Sequence, residues 1–300
     1  MEKKVLRRRG IEKNLGGPST SSGQALAVPV AGFRIKDSGF SKPATLSFCI
    51  SSRVAVQLFL FVFNALASWR LCYVLLAVTP LLPPGASAAS IAVDVGHYLK
   101  NPGVISARGV PEFDYNLRLA REIEIALKHA GHRTLLIGDD GLSEDLSRRA
   151  PRASGMNLFI SVHHDSMQAR YLSVWEYEGV ERHYSDRFAG FSLFVSRNNG
   201  HLGRSLRCAS AIGAALRQAG FSPSRYHADP VLGENRPFAD EENGVHYFDN
   251  LAVLKTASVP ALLFEAGVIV NRDEELRMRD PAVRRTIAEG IARAVGMCLV

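Results

Sequence analysis

Three short apolar runs punctuate the chain downstream of residue 90: IAVDV at 91–95, LFISV at 158–162 and ALLF at 261–264. Each is bounded by Gly, Pro or polar residues and is rich in Ile, Val, Leu or Phe, the pattern of a strand buried on both faces. Each also leads into a reactive side chain, His97 after the first run, His163 after the second and Glu265 after the third. In open α/β sheets such groups collect beyond the carboxyl ends of the strands, so three residues far apart in sequence are expected to converge.

Between these runs the apolar period becomes helical. Leu117, Ala120, Ile123 and Leu127 share one face of a predicted helix, with Asp114 as its N-cap and Gly131 as its stop. Residues 203–219 read as a second helix closed by Gly220. Asp280 and Pro281 open a third, with Val283, Ile287, Ile291 and Val295 on one face. Residues 133–137, 173–177 and 251–254 are further predicted strands, and 143–150 a short helix. Strands interleaved with helices predict an α/β fold: a single domain over residues 90–300, with a mostly parallel, roughly six-stranded twisted sheet flanked by helices. Residues 221–244 are polar, hold three prolines and lack periodicity, so they are expected to be functional or mobile.

The N-terminal part has a different character. Residues 1–53 are basic, rich in Ser and Gly and without periodicity, and are expected to be disordered. Residues 54–88 hold two apolar runs separated by Arg70 and end in Ala86, Ser87 and Ala88, a small-x-small pattern suited to signal-peptide cleavage. An uncleaved membrane anchor is the competing reading; it would place Arg70 near mid-bilayer at a cost of about 2.5 to 3.5 kcal/mol. No Met lies between Met1 and Met156. Translation from a non-Met codon near Val54, leaving residues 1–53 untranslated, is one reading of so long a leader.

Charge sharpens this division. The formal +7 comes from the leader: residues 1–88 carry 11 Lys and Arg against 3 Asp and Glu, whereas residues 89–300 carry 25 against 26. The domain is therefore near neutral, which argues against a nucleic-acid partner and confines membrane contact to the leader. A hydrophobic content of 47% is ample for a core. Cys208 and Cys298 are the only cysteines after the leader, and no CxxC pair exists. Both read most simply as buried small hydrophobes, a disulfide between them being the alternative in an exported domain.

All nine histidines lie after the leader. Zinc accepts imidazole nitrogen and carboxylate oxygen, and a catalytic site keeps one position open. His97, Glu112 and His163 could supply three such ligands.

VDVGH, Glu112 fifteen residues after its His, LFISVHHDS and PALLFEAGVIVNRDEE occur in one order over about residues 91–297. In these motifs the sequence resembles the zinc-dependent N-acetylmuramoyl-L-alanine amidases of the Amidase_3 type, bacterial cell-wall hydrolases. The resemblance implies that His97, Glu112 and His163 bind Zn2+ and that Glu265 is the catalytic carboxylate. It also implies peptidoglycan as substrate, export to the periplasm or cell envelope, and a protein activator for some members. Val95 stands where the family usually has Pro, Tyr98 where it has Gly, and His164 where it has a small residue. Successive strand residues face opposite sides, so only one of His163 and His164 can face the metal, and register favours His163. Asp94 or Asp165 is a candidate to orient a ligand imidazole. His246 reads as a surface residue near the cleft, Arg148, Arg149 and Arg152 as a solvated helix face, and His129 and His132 as flanking a helix stop. Residues 221–244 are candidates to gate the cleft or bind an activator, or else form a plain surface loop. Another zinc amidohydrolase acting on a small amide, or a catalytically silent peptidoglycan-binding regulator, are the competing functions.

Overall fold

The computed structural model describes residues 88–299. In chain order its elements are β1 (Ser90–Val95), α1 (Glu112–His129), β2 (Arg133–Ile137), β3 (Leu158–Asp165), β4 (Ser173–Tyr177), β5 (Val180–Tyr184), β6 (Ser192–Val195), α2 (Leu202–Gln218), β7 (Phe238–Asp240), β8 (Val245–Tyr247), α3 (Ala252–Lys255), β9 (Ala261–Val268), α4 (Arg272–Arg279) and α5 (Pro281–Cys298). Seven strands form one sheet in the order β2-β1-β3-β9-β6-β8-β7. The first four run parallel, and β6 is antiparallel to β9 but parallel to β8. Apart from Ala88, the predicted leader and the signal or anchor segment lie outside the described residues.

Strand alternation sorts the side chains into two layers. Ile91, Val93, Leu158, Ile160, Val162, Leu262 and Phe264 enter the larger core with α1, α2 and α5. Ala92, Phe159, Ala261 and Leu263 enter the smaller one, covered by Ala150, Ala153 and the short α3. Fully burying one Leu or Phe contributes about 1.5 to 3 kcal/mol, so the three long helices anchor the sheet from one side. The other side is thinly covered, and Asp94, His163 and Glu265 share the parity of its residues.

Several elements differ from the sequence reading. Helix α1 starts two residues before the expected cap, directly after Pro111. Its first two amides find acceptors outside the helix, in the carbonyls of Val104 and Pro102, so no side-chain cap is needed. Residues 251–254 are not a strand but lead into α3, because so short an apolar run carries no resolvable period. Residues 143–150 do not form one helix: two 3-10 turns, Leu146–Arg148 and Ala150–Ala153, stand there, the second with Pro151 at its start. Strand β4 pairs only with β5, in a hairpin outside the main sheet. Residues 221–244 contribute β7 to the sheet edge and a 3-10 turn, Tyr226–Ala228, so they are no plain loop. Among the described residues no helix is long and apolar enough to cross a membrane.

Cys208 and Cys298 form a disulfide joining α2 to α5, with Cα atoms 5.0 Å apart, which corrects their reading as two free buried thiols. The bond closes a sequence separation of 90 residues, and restricting so long a loop in the unfolded chain favours the native state. Replacing both cysteines by Ala is expected to lower the unfolding free energy by about 2 to 5 kcal/mol, read from the denaturation midpoint in urea. An unchanged midpoint would show that the bond contributes no net stability.

Candidate metal centre

Glu112 opens α1 and points its carboxylate between two imidazoles. Its Oε2 lies 2.9 Å from Nε2 of His97, and its Oε1 lies 3.1 Å from Nδ1 of His163. One ligand atom from each of these three residues lies within 4.8 Å of the others. The two rings stand edge to face with centroids 5.0 Å apart. Glu112 is almost buried, while His97 and His163 keep part of their surface open. Burial alone would raise the Glu112 pKa, but the hydrogen bonds and charge of His163 and His97 hold it well below the usual carboxylate range. Asn116 Nδ2 donates to Oε1 at 3.0 Å and the amide of Val104 to Oε2 at 3.2 Å, fixing the carboxylate further.

Backbone shape brings these groups together. His97 adopts φ 65°, a left-handed conformation uncommon outside glycine. A Cβ on Gly96 would lie 2.5 Å from the His163 ring, and one on Gly103 only 2.3 Å from Glu112 Oε2. Both glycines therefore leave room for the donor atoms. Two imidazoles and a carboxylate, partly open to solvent, are a donor set that fits zinc.

Glu265 is the cross-strand partner of His163 in the β3–β9 ladder. Its Oε2 is buried without a hydrogen-bond partner. Burial, reinforced by the charges of Asp165 and Glu112, raises its pKa well above the ordinary value. All four residues picked out from the sequence thus lie at this end of the sheet.

The neighbouring candidates sort differently. His164 turns to the opposite face, with Nδ1 2.8 Å from Asn116 Oδ1, and burial pushes its pKa down to about 3. Neither candidate Asp hydrogen-bonds the imidazole of His97 or His163: Asp94 accepts from Ser161 Oγ at 2.7 Å and pairs with Arg149, while Asp165 Oδ2 sits 2.7 Å from His227 Nε2. His246 is fully buried against Phe194 and Phe238 rather than at the surface, because β8 is an inner strand of the sheet. Arg149 is likewise buried at 1% exposure, whereas Arg148 and Arg152 are exposed. A short Arg-rich stretch gives no sign of which member turns inward. His132 is buried too, its Nδ1 accepting from the amide of Ala89.

His227 is a group that sequence reasoning missed. It bridges Asp165 and Glu234, the second at 2.9 Å from Nδ1. Burial alone would lower its pKa, but the charges and hydrogen bonds of Asp165 and Glu234 push it up to about 9. The native state thus holds this proton more tightly than the unfolded chain, whose His titrates near 6.5. Its stabilisation is complete below about pH 6.5 and is lost as pH rises through about 9. The thermal midpoint of the wild type is therefore expected to fall more steeply than that of His227→Gln between about pH 6 and 10; parallel profiles would refute the linkage. At the centre itself, Gly103→Ala is expected to displace Glu112 and weaken zinc binding by on the order of tenfold or more. Calorimetric titration with zinc would measure it, and an unchanged affinity would contradict the close approach.

The sequence model of the N-acetylmuramoyl-L-alanine amidase family matches residues 91–297. A probable N-acetylmuramoyl-L-alanine amidase AmiB of Haemophilus influenzae is 26% identical over 233 residues, covering 68% of this chain and 50% of its own length. The chain spans about half the length of the curated relatives it matches. Among solved structures, the amidase Ami1 of Mycobacterium smegmatis superposes with a TM-score of 0.55 at 19% identity, over 70% of this chain and 96% of that one. The CwlD amidase of Clostridioides difficile, in complex with the GerS lipoprotein, gives 0.50 at 18% identity, over 70% and 98%.

Proposed function

The chain belongs to the N-acetylmuramoyl-L-alanine amidase family, and we propose that residues 90–300 form a zinc-dependent domain hydrolysing the amide bond between N-acetylmuramic acid and L-alanine in peptidoglycan. The observation carrying this reading is the meeting of His97, Glu112 and His163 beside Glu265 at one end of the sheet. His97, Glu112 and His163 would hold the metal, and the open surface of the two histidines leaves room for substrate. When bound, zinc supplies a Lewis acid for the scissile carbonyl and draws the pKa of a water towards neutrality.

Glu265 supplies the proton transfers. Its partnerless Oε2 is free to accept a proton from the attacking water and return it to the leaving amine. The raised pKa suits the second step, since the protonated carboxyl must be accessible near neutral pH. The His164 imidazole, turned to the other face, takes no part, while its backbone amide donates to Glu112 Oε1.

The proposed setting is the cell envelope. A disulfide within the domain supports an exported protein, because such bonds persist in oxidising compartments. The apolar segment at residues 54–88 then serves as signal peptide or membrane anchor. A protein activator belongs to the proposed setting, in keeping with the complex that the CwlD amidase forms with the GerS lipoprotein.

Glu265→Gln is the decisive variant. It is expected to retain zinc while losing at least about a hundredfold in release of peptides bearing a free L-alanine amino terminus from purified peptidoglycan. Loss of zinc in that variant would make Glu265 a ligand instead, and full activity would remove it from the mechanism.

A further inference from the structure

We propose that Arg149 is a positioning residue for the metal ligands, acting on the backbone of His97 and, through Asp94 and Ser161, on the strand that carries His163. The inference rests on the zinc reading of His97, Glu112 and His163 given above.

Arg149 is among the largest fully buried side chains. Burying a guanidinium costs several kcal/mol unless its charge and donors are met. Nε is buried without a partner, and the partners of the two terminal nitrogens are concentrated at one place. Nη1 donates to the carbonyl of Val95 and lies 3.2 Å from Asp94 Oδ1, while Nη2 donates to the carbonyls of His97 and, at 3.1 Å, Ser143. Two of these carbonyls belong to the end of β1 and to the ligand residue itself. The guanidinium also lies against Gly138, where a Cβ would come within 3.2 Å of it.

His97 needs such support. A left-handed conformation in a non-glycine residue costs on the order of 1 to 3 kcal/mol and persists only where the surroundings over-determine it. The carbonyl of His97 is the backbone group that leaves this strained position, and Arg149 holds it. The same unit reaches the second ligand. Asp94 is the register partner of Ser161 across β1 and β3 and accepts its hydroxyl proton at 2.7 Å. Ser161 stands two residues before His163 on the same face of β3. A single buried chain, Ser161 to Asp94 to Arg149, thus ties the backbones of both histidines together beneath the metal centre.

A purely stabilising role makes a different prediction. A buried ion pair often contributes little compared with neutral groups of similar size, and removing one partner is destabilising mainly because the other is left uncompensated. Neutralising both members should then restore stability but leave the His97 carbonyl without the donor that Arg149 supplies.

The test uses the full chain with Arg149→Met, Arg149→Lys and the double variant Asp94→Asn/Arg149→Met. Zinc affinity is read by competition with a chromophoric chelator, the thermal midpoint on metal-free protein, and ligand geometry by visible absorption with saturating Co2+. Arg149→Met should lose both stability and affinity. The double variant should regain the thermal midpoint yet bind zinc about 10- to 100-fold more weakly than wild type, with an altered cobalt spectrum. Arg149→Lys, which keeps the charge but not the fork, should show the same weakened binding. Folded Lys and double variants with a wild-type cobalt spectrum and zinc affinity within about threefold of wild type would overturn the proposal. Failure of the folded wild type to bind zinc would instead remove the metal reading, and the inference with it.

Discussion

Glu112 sets the terms on which this end of the molecule can be built. A carboxylate almost withdrawn from water is tolerated only when its oxygens are fully engaged, and here two imidazoles, an asparagine amide and two backbone amides converge on it. To place it there, α1 must begin at residue 112, directly after Pro111, with its first amides satisfied by the incoming loop. Gly96 and Gly103 must leave space, and His97 must accept a left-handed backbone. The cost of those local features is intelligible only if the three side chains act as a unit. Two imidazoles gathered around one carboxylate are also a ready donor set for a dication, which would replace hydrogen bonds by coordination without rebuilding the scaffold.

The sheet divides labour between its faces. On one face three long helices bury a continuous apolar core, and a disulfide fastens α2 to α5 there. On the other, the cover is thin and the strand ends carry His163, Asp165 and Glu265. Because parity along a strand decides which face a side chain meets, His163 and His164 have opposite fates despite adjacency: one joins His97 and Glu112 in the candidate metal centre, the other is sealed behind α1 beside Asn116 and Tyr115. The rigid face thereby holds the polar one in register.

What could be read from the sequence follows from range. Short apolar runs ending in His or Glu announce strands and strand ends, so the central strands and the neighbourhood of His97, His163 and Glu265 were legible from local pattern. Glu112 was offered as a ligand on its chemistry, but nothing in its spacing distinguishes it from other helix-start acids, and it was the family resemblance that gave it a definite place. Arg149, His227 and the Cys208–Cys298 bond were misread or missed for a shared reason. Each depends on a partner far along the chain, Asp94, Asp165 or the other cysteine, and periodicity carries no information about such pairing. Strands β6, β7 and β8 escaped because three or four residues are too few to establish a period.

Residues 221–244 show how composition can mislead about mechanics. Polar sequence, three prolines and absent periodicity suggest a loop free to open and close over the cleft. The structure instead ties the segment down at both ends. Strand β7 lies in the main sheet, and His227 is held between Asp165 and Glu234. Tyr226 Oη accepts from the amide of Gln168 at 2.7 Å, and Tyr171 Oη donates to Asp229 at 2.6 Å. These contacts fall on the residues immediately following the strand that carries His163. Swinging the segment away would separate the His227 imidazole from Asp165 and leave that carboxylate buried without its partner, a cost of several kcal/mol by the usual penalty for an uncompensated buried charge. Around neutral pH, where His227 keeps its proton, the segment is therefore better described as a fixed wall beside the candidate metal centre than as a lid. Any motion that widens this site must be sought elsewhere along its rim, or driven by a partner that supplies new counter-charges for Asp165 and His227.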